Sequence, residues 1–188
     1  MTPHTANATL IVIDMQRGMA DPKSGRRNNP QAEDNMAALL AAWRIAARPV
    51  VHVRHMSRSP ESVFWPGQAG AEFQERFVPL ATEHVVEKHM TDAFACSGLE
   101  RWLHVRGITE VVIVGVATNY SVEATARSAA CLGFTTWVVS DACFTFDRPD
   151  LTGAPRTAED IHLVSLSNLQ GEYATVVPTS ELLAPGLL

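Results

Sequence analysis

Three side chains in this 188-residue sequence have the chemical types and settings for hydrolysis: Asp14, Lys88 and Ser121. Asp14 closes the apolar run LIVID at residues 10–14. An acid at the C-terminal end of a buried strand lies on the edge of an open α/β sheet where ligands bind. Desolvation there lifts a carboxyl toward the range of a general base, although a carboxylate can also serve simply to cap a loop. Lys88, in VVEKHMTDAF, follows a weaker strand pattern. A lysine beside a carboxylate holds the base and stabilises developing negative charge, whereas most lysines stay solvated. Ser121 lies in VVIVGVATNYSVEATAR at residues 111–127, where an apolar strand passes through Gly115 and a short turn into a helix. Free N–H groups at such a helix start favour an anion. A serine there is either a capping residue or a participant in the chemistry.

These residues need a scaffold of parallel strands. Short Val/Ile-rich runs at 8–13, 49–54, 110–114 and 135–140 show little alternation, as expected for strands covered on both faces. Weaker strands are expected at 84–87 and 173–177. Helical patterns lie between them: residues 31–47, with Met36, Leu39, Leu40, Trp43 and Ile45 at helix spacing; a run after the capping box Ser97–Glu100; residues 119–132; and residues 157–169. Strands alternating with helices imply right-handed βαβ units. Residues 55–80 have no clean period and contain Pro60, Pro66, Gly67 and Gly70. A loop of that length is often functional. Its aromatics, Phe64, Trp65 and Phe73, have two available roles, walling a pocket or tucking into the core.

Composition narrows the function classes. The length suits one domain over residues 1–188, and 46% apolar with 19% charged residues reads as globular. A net charge of −5 without a basic run argues against nucleic acid or an anionic membrane as partner. No apolar stretch approaches a membrane span, and the N-terminal segment lacks the basic region of a signal peptide. Cys96, Cys131 and Cys143 lack CxxC spacing and fit reduced thiols, so a cytoplasmic setting is expected. The histidines form no HExxH or comparable set, and His52 reads as a core residue. No GxGxxG or GxxxxGK[ST] follows Gly115, which leaves nucleotide binding without support. Neither a metal nor a cofactor is expected.

Taken together, LIVIDMQRGM at 10–19, VVEKHMTDAF at 85–94, VGVATNYSVEATARSAACLGF at 114–134 and VVSDACFTFD at 138–147 resemble the isochorismatase-like cysteine hydrolase superfamily. The resemblance runs over nearly the whole chain. It implies a three-layer α/β/α fold whose six-stranded, mostly parallel sheet has the order 3-2-1-4-5-6. It also implies an Asp-Lys-Cys triad, matched here by Asp14, Lys88 and the position of Ser121. A non-proline cis peptide at Val116–Ala117 is implied too, with an oxyanion hole from the N–H groups of Ala117 and Ser121. The chain departs from the family at the nucleophile. A thiol loses its proton readily beside a cation, while a serine hydroxyl needs a strong adjacent base. Ser121 is therefore a replacement of a parental cysteine, a natural serine variant, or the mark of a chain that is not a hydrolase.

Within the superfamily the chain looks closest to the amidohydrolase branch, similar to N-carbamoylsarcosine amidase and to ureido and lactam hydrolases. The metal-site residues of nicotinamidases are not reproduced in HVRHMSRSP. The resemblance thus implies hydrolysis of a small amide, with Met19, Phe64, Trp65 and Tyr120 as apolar walls and Gln16 and Asn119 as polar contacts. Two other functions remain open: an isochorismatase-type vinyl-ether hydrolase, with Arg17, Arg54 and Arg58 available for a dicarboxylate, and a non-catalytic binding protein. A homo-oligomer, dimer or tetramer, is expected, with Trp102 and the C-terminal ELLAPGLL serving either an interface or the core.

Overall fold

The central strand β1 (Thr9–Ile13) is buried along its whole length because both of its faces are covered. Ile11 and Ile13 point into one core, and Leu10 and Val12 point into the other. The computed structural model describes residues 7–184; residues 1–6, and residues 185–188 of the ELLAPGLL segment, lie outside the described residues. In chain order, β1 is followed by α1 (Ala32–Ile45), β2 (Val50–His55), β3 (His84–Lys88), α2 (Leu99–His104) and β4 (Glu110–Val116). Next come α3 (Glu123–Cys131), β5 (Thr135–Phe144), β6 (Arg148–Pro149), β7 (Pro155–Arg156), α4 (Ala158–Leu169), β8 (Thr175–Val177) and α5 (Thr179–Leu182). The sheet order is β3-β2-β1-β4-β5-β8 with every pairing parallel, which is the expected three-layer order with β8 as sixth strand.

One core lies under α2, α3 and α4, the other under α1 and α5. In α1, Met36, Leu39, Leu40 and Trp43 share the buried face, and the Trp43 indole N–H donates to Ala8 O at 2.8 Å. Ile45, which the periodicity placed on that face, is instead exposed at the helix end. Thr157 caps α4 by accepting the Asp160 N–H at 3.1 Å. The expected box at 97–100 forms differently: Gly98 is the N-cap of α2, and the Ser97 hydroxyl accepts from Leu99 N.

Two local features shape the functional edge. Gly115 has φ +126°, and a Cβ there would lie 2.2 Å from Ile13 O, so only glycine lets β4 approach β1 at this point. Opposite it, β5 bulges. Ile113 pairs with Val138 and Gly115 with Cys143, so β5 runs on past the 135–140 strand anticipated from composition. Asn29 Nδ2 holds the bulge by donating to Ser140 O at 3.0 Å and Cys143 O at 2.7 Å, and Asn35 donates to Asp141 O at 2.8 Å. The bulge sends residues 145–149 across the C-terminal end of the sheet. There they lead into the small β6–β7 hairpin that the sequence pattern did not reveal.

The 56–83 segment between β2 and β3 contains only short 3-10 turns, at Ala69–Ala71 and Glu75–Phe77. Of the three aromatics weighed for this loop, Phe73 is buried in the core role, whereas Phe64 and Trp65 are half-buried; Phe77 is buried as well. Trp102 packs on the core under α2 and stacks on His84 with ring centroids 4.6 Å apart.

Candidate active site

Asp14, Lys88 and Ser121 meet at the C-terminal ends of β1, β3 and β4. Lys88 lies on the edge strand, separated from β1 by β2. Two inter-strand steps amount to roughly 10 Å, and the lysine's length spans the gap. Its Nζ donates to Asp14 Oδ2 at 2.7 Å and to Ser121 Oγ at 3.1 Å. All three side chains are buried, with Lys88 reaching inward beside Val86 as the strand alternates.

Asp14 sits at φ +54°, a left-handed conformation uncommon outside glycine, asparagine and aspartate. Its Oδ1 has no hydrogen-bond partner among the described residues. Burial pushes the Asp14 carboxyl above the ordinary aspartate range, against the opposing pull of the Lys88 ammonium and the Ser121 hydroxyl. The carboxyl is therefore a stronger base than a surface aspartate, with one oxygen held and the other open.

Ser121 is carried by a π-helical turn, Thr118–Val122, in which Val122 N donates to Ala117 O at 3.2 Å. The Val116–Ala117 peptide preceding the turn is cis. The turn is braced from α4: His162 Nδ1 and Thr118 Oγ1 are 2.8 Å apart, and the Ser165 hydroxyl lies 3.2 Å from Thr118 O and 2.5 Å from Glu123 Oε2. Burial holds the His162 imidazole below its ordinary pKa, so a neutral ring supports the turn. Thr118, His162 and Ser165 escaped the sequence reading because the contact joins segments more than forty residues apart.

A cavity of about 580 Å³ opens over the three residues, lined also by Met19, Ser24, His55, Thr91, Ala117, Tyr120 and residues 145–149. Of the expected contacts, Met19, Tyr120 and Ala117 are on this wall. Gln16, Phe64, Trp65 and Asn119 are not. Gln16 is fully buried and ties the end of β1 to its neighbours, exchanging bonds with His55 N (2.7 Å), His55 O (2.9 Å) and Ala71 O (2.9 Å). Phe64 packs against the His55 ring and close to Gly18. Asn119 accepts from the Thr145 hydroxyl at 2.5 Å and faces a separate groove beside α4. Loop position alone gave no information on which way these side chains turn.

Burial, reinforced by the nearby Lys88 ammonium, also lowers the pKa of His55 on the cavity wall, so its imidazole is neutral near pH 7. His52, by contrast, is fully buried and bonded to Glu83 at 2.9 Å, in keeping with a core role. Among the described residues no three His, Cys, Asp or Glu side chains gather as a metal-ligand set, and no helix is long and apolar enough to cross a membrane.

The buried ion pair makes a prediction about stability. Lys88→Met keeps the length of the side chain and leaves Asp14 without its cation. Removing one partner of a buried pair costs about 3 kcal/mol. Without Lys88 the Asp14 carboxyl, already raised by burial, rises further. A carboxyl whose folded pKa exceeds its unfolded value of ~3.9 loses stability as pH climbs through that window. Urea denaturation should therefore show the variant's deficit in full at pH 7 and reduced toward pH 4; an equal deficit at both would mean that Asp14 is not the group left unpaired.

The arrangement is a base with an open oxygen, a cation touching both base and hydroxyl, and a turn delivering the hydroxyl to a cavity. It suits hydrolysis. Comparison with known proteins points the same way. The isochorismatase domain model matches residues 8–181. The isochorismatase family protein YrdC of Bacillus subtilis (strain 168), itself uncharacterized, is 36% identical over 174 residues, 93% of each chain. Streptothricin hydrolase of Streptomyces noursei is 34% identical over 168 residues, 88% of this chain and 58% of that protein. Among solved structures, an isochorismatase-family protein from Chromobacterium violaceum ATCC 12472 superposes with a TM-score of 0.95 at 43% identity, covering 98% of this chain and 95% of that one. With the parallel sheet, the strand-end aspartate and the lysine bridge all in place, the chain belongs to the isochorismatase family of hydrolases.

Proposed function

We propose that this chain hydrolyses a C–N bond in a small non-peptide amide of carbamoyl, ureido or lactam type, at a rate limited by serine in the nucleophile position. The observation that carries this reading is the Lys88 Nζ touching both Asp14 Oδ2 (2.7 Å) and Ser121 Oγ (3.1 Å) at the cavity floor. Asp14 takes the Ser121 proton as the oxygen attacks the carbonyl carbon, and the N–H groups of Ala117 and Ser121 receive the oxyanion. Asp14 returns the proton to the departing nitrogen as the C–N bond breaks, and the acyl group stays on Ser121 as an ester. A water, deprotonated by Asp14, then releases the acid and restores the serine. Lys88 orients Asp14 and offsets the negative charge. The similarity to streptothricin hydrolase supports hydrolysis as the reaction class.

A second reading is favoured by the unpartnered Asp14 Oδ1. A carboxyl of raised pKa with one free oxygen can protonate a vinyl ether, and that cleavage needs no nucleophile at 121. The two readings separate on a substrate panel. Incubated with small amides, ureido acids, lactams and isochorismate, the unmodified chain should slowly hydrolyse at least one C–N substrate, read as ammonia or amine released or, for a lactam, as the ring-opened amino acid. Faster consumption of isochorismate than of every amide would replace the first reading with the second.

A further inference from the structure

We propose that Arg148 is the specificity-determining residue of this cavity and that it selects substrates carrying a carboxylate away from the bond to be cleaved; this rests on reading the cavity as a hydrolase site. Arg148 is exposed and lines the cavity that contains Asp14, Lys88 and Ser121. Its guanidinium lies 4.9 Å from the centroid of the Tyr120 ring, on the turn next to Ser121. Stacking on an aromatic face fixes the plane of the guanidinium and leaves its N–H edge available for a planar anion.

Among the described residues, Arg148 has no carboxylate partner. Its surroundings show why this is informative. In the β6–β7 ladder Arg148 pairs directly with Arg156, and like charges placed opposite one another destabilise a strand pair. Arg156 is neutralised by Asp150, with Nε to Oδ2 at 2.7 Å. Asp150 also accepts from Thr152 and Ala154, which uses it fully within the hairpin. Asp147, the other acid on the cavity wall, accepts the Ala158 N–H at the start of α4 at 2.6 Å. Deeper in, the positive charge of Lys88 is matched by Asp14. Asp147 keeps its charge but is bonded at the start of α4, so Arg148 is a preorganised cation on the cavity wall with no ion-pair partner among the described residues; it also borders the two grooves beside the hairpin. A bidentate contact with a carboxylate would satisfy it.

The arginines that the sequence offered for an acidic substrate lie elsewhere. Arg54 is paired with Glu87, Arg17 lines a different groove, and neither Arg54, Arg17 nor Arg58 is on this cavity's wall.

The test uses matched ligands of three lengths: malonamate, succinamate and glutaramate, each against its uncharged diamide. Calorimetric binding to the unmodified chain should favour the acid of at least one pair by about tenfold or more. Arg148→Gln should abolish that preference by weakening the acid far more than the diamide, and Arg148→Lys should keep part of it. Raised salt should weaken only the acid. Equal affinity of acid and diamide in every pair, or no detectable binding of either, overturns the proposal. So does an Arg148→Gln loss shared equally by both ligands, which would make Arg148 a structural clamp on Tyr120. Binding is read without turnover, so charge selection that persists while no amide is hydrolysed would sink the hydrolase reading and leave the anion subsite standing.

Discussion

Exchanging Ser121 for cysteine should raise hydrolysis of the best amide substrate by roughly 10²-fold or more. A serine hydroxyl gives up its proton only as it attacks, and Asp14, although strengthened by burial, is a weak base for an alcohol. A thiol of ordinary pKa ~8.5 placed where Lys88 Nζ lies 3.1 Å from the nucleophile would ionise readily beside the cation. The replacement is nearly isosteric, and the site holding it is braced by His162 and Ser165 rather than by Ser121 itself. The gain should appear in kcat and should be lost on alkylation of the new thiol. Cys96 and Cys131 are exposed in the parent and will also react, so inactivation, not label uptake, is the proper readout. Cys143 is buried, and burial pushes its thiol up to about 12, so it stays inert. If Ser121→Cys and the parent are equally slow on every amide while both consume isochorismate, acyl transfer at position 121 is the wrong mechanism.

Asp14→Asn should lower turnover by about 10³-fold on whatever substrate the panel identifies. Asparagine suits this test because it tolerates the left-handed conformation at φ +54° and its carbonyl still accepts from Lys88, so the fold is kept while the proton acceptor is lost. The parent's pH profile tells which role Asp14 plays. As a base it must be ionised, so kcat/KM falls as pH drops through a pKa that burial has placed above 3.8. As the acid for a vinyl ether it must be protonated, and the rate falls instead as pH rises through the same value. In either case Asp14→Asn removes that limb. A variant retaining both rate and limb would show that another group moves the proton.

Much of the site could be read from residue order because parallel α/β chemistry is local to strand ends. The run LIVI ending in Asp14, and the β4 run ending in the Gly115 turn, each place a residue at the C-terminal edge whatever else the chain does. The strand pattern therefore carried the expectation of parallel βαβ units with these residues at strand ends, while the sheet order and the grouping of Asp14, Lys88 and position 121 came from the resemblance to the cysteine hydrolases. Periodicity was less informative where backbone geometry departs from a plain repeat. The 119–132 helix begins as a π-turn, because Val122 N reaches back to Ala117 O, and β5 runs past residue 140 through a bulge.

What tertiary structure alone decided is which way side chains turn once distant segments meet. Gln16 reads as a ligand contact beside Asp14, yet its amide is consumed by His55 and Ala71, so it became a strut. Asn119 is adjacent to Tyr120, yet the turn sends one to Thr145 and the other to the cavity. Asn29 and His162 gain their roles only because they lie against the β5 bulge and the Thr118 turn across more than a hundred and more than forty residues, respectively. Arg148 becomes notable only when the hairpin places it opposite Arg156 and over Tyr120. Local pattern determines where a strand ends and what residue stands there. Burial, charge matching and hydrogen-bond competition among residues far apart in the chain decide whether that residue is left free to act.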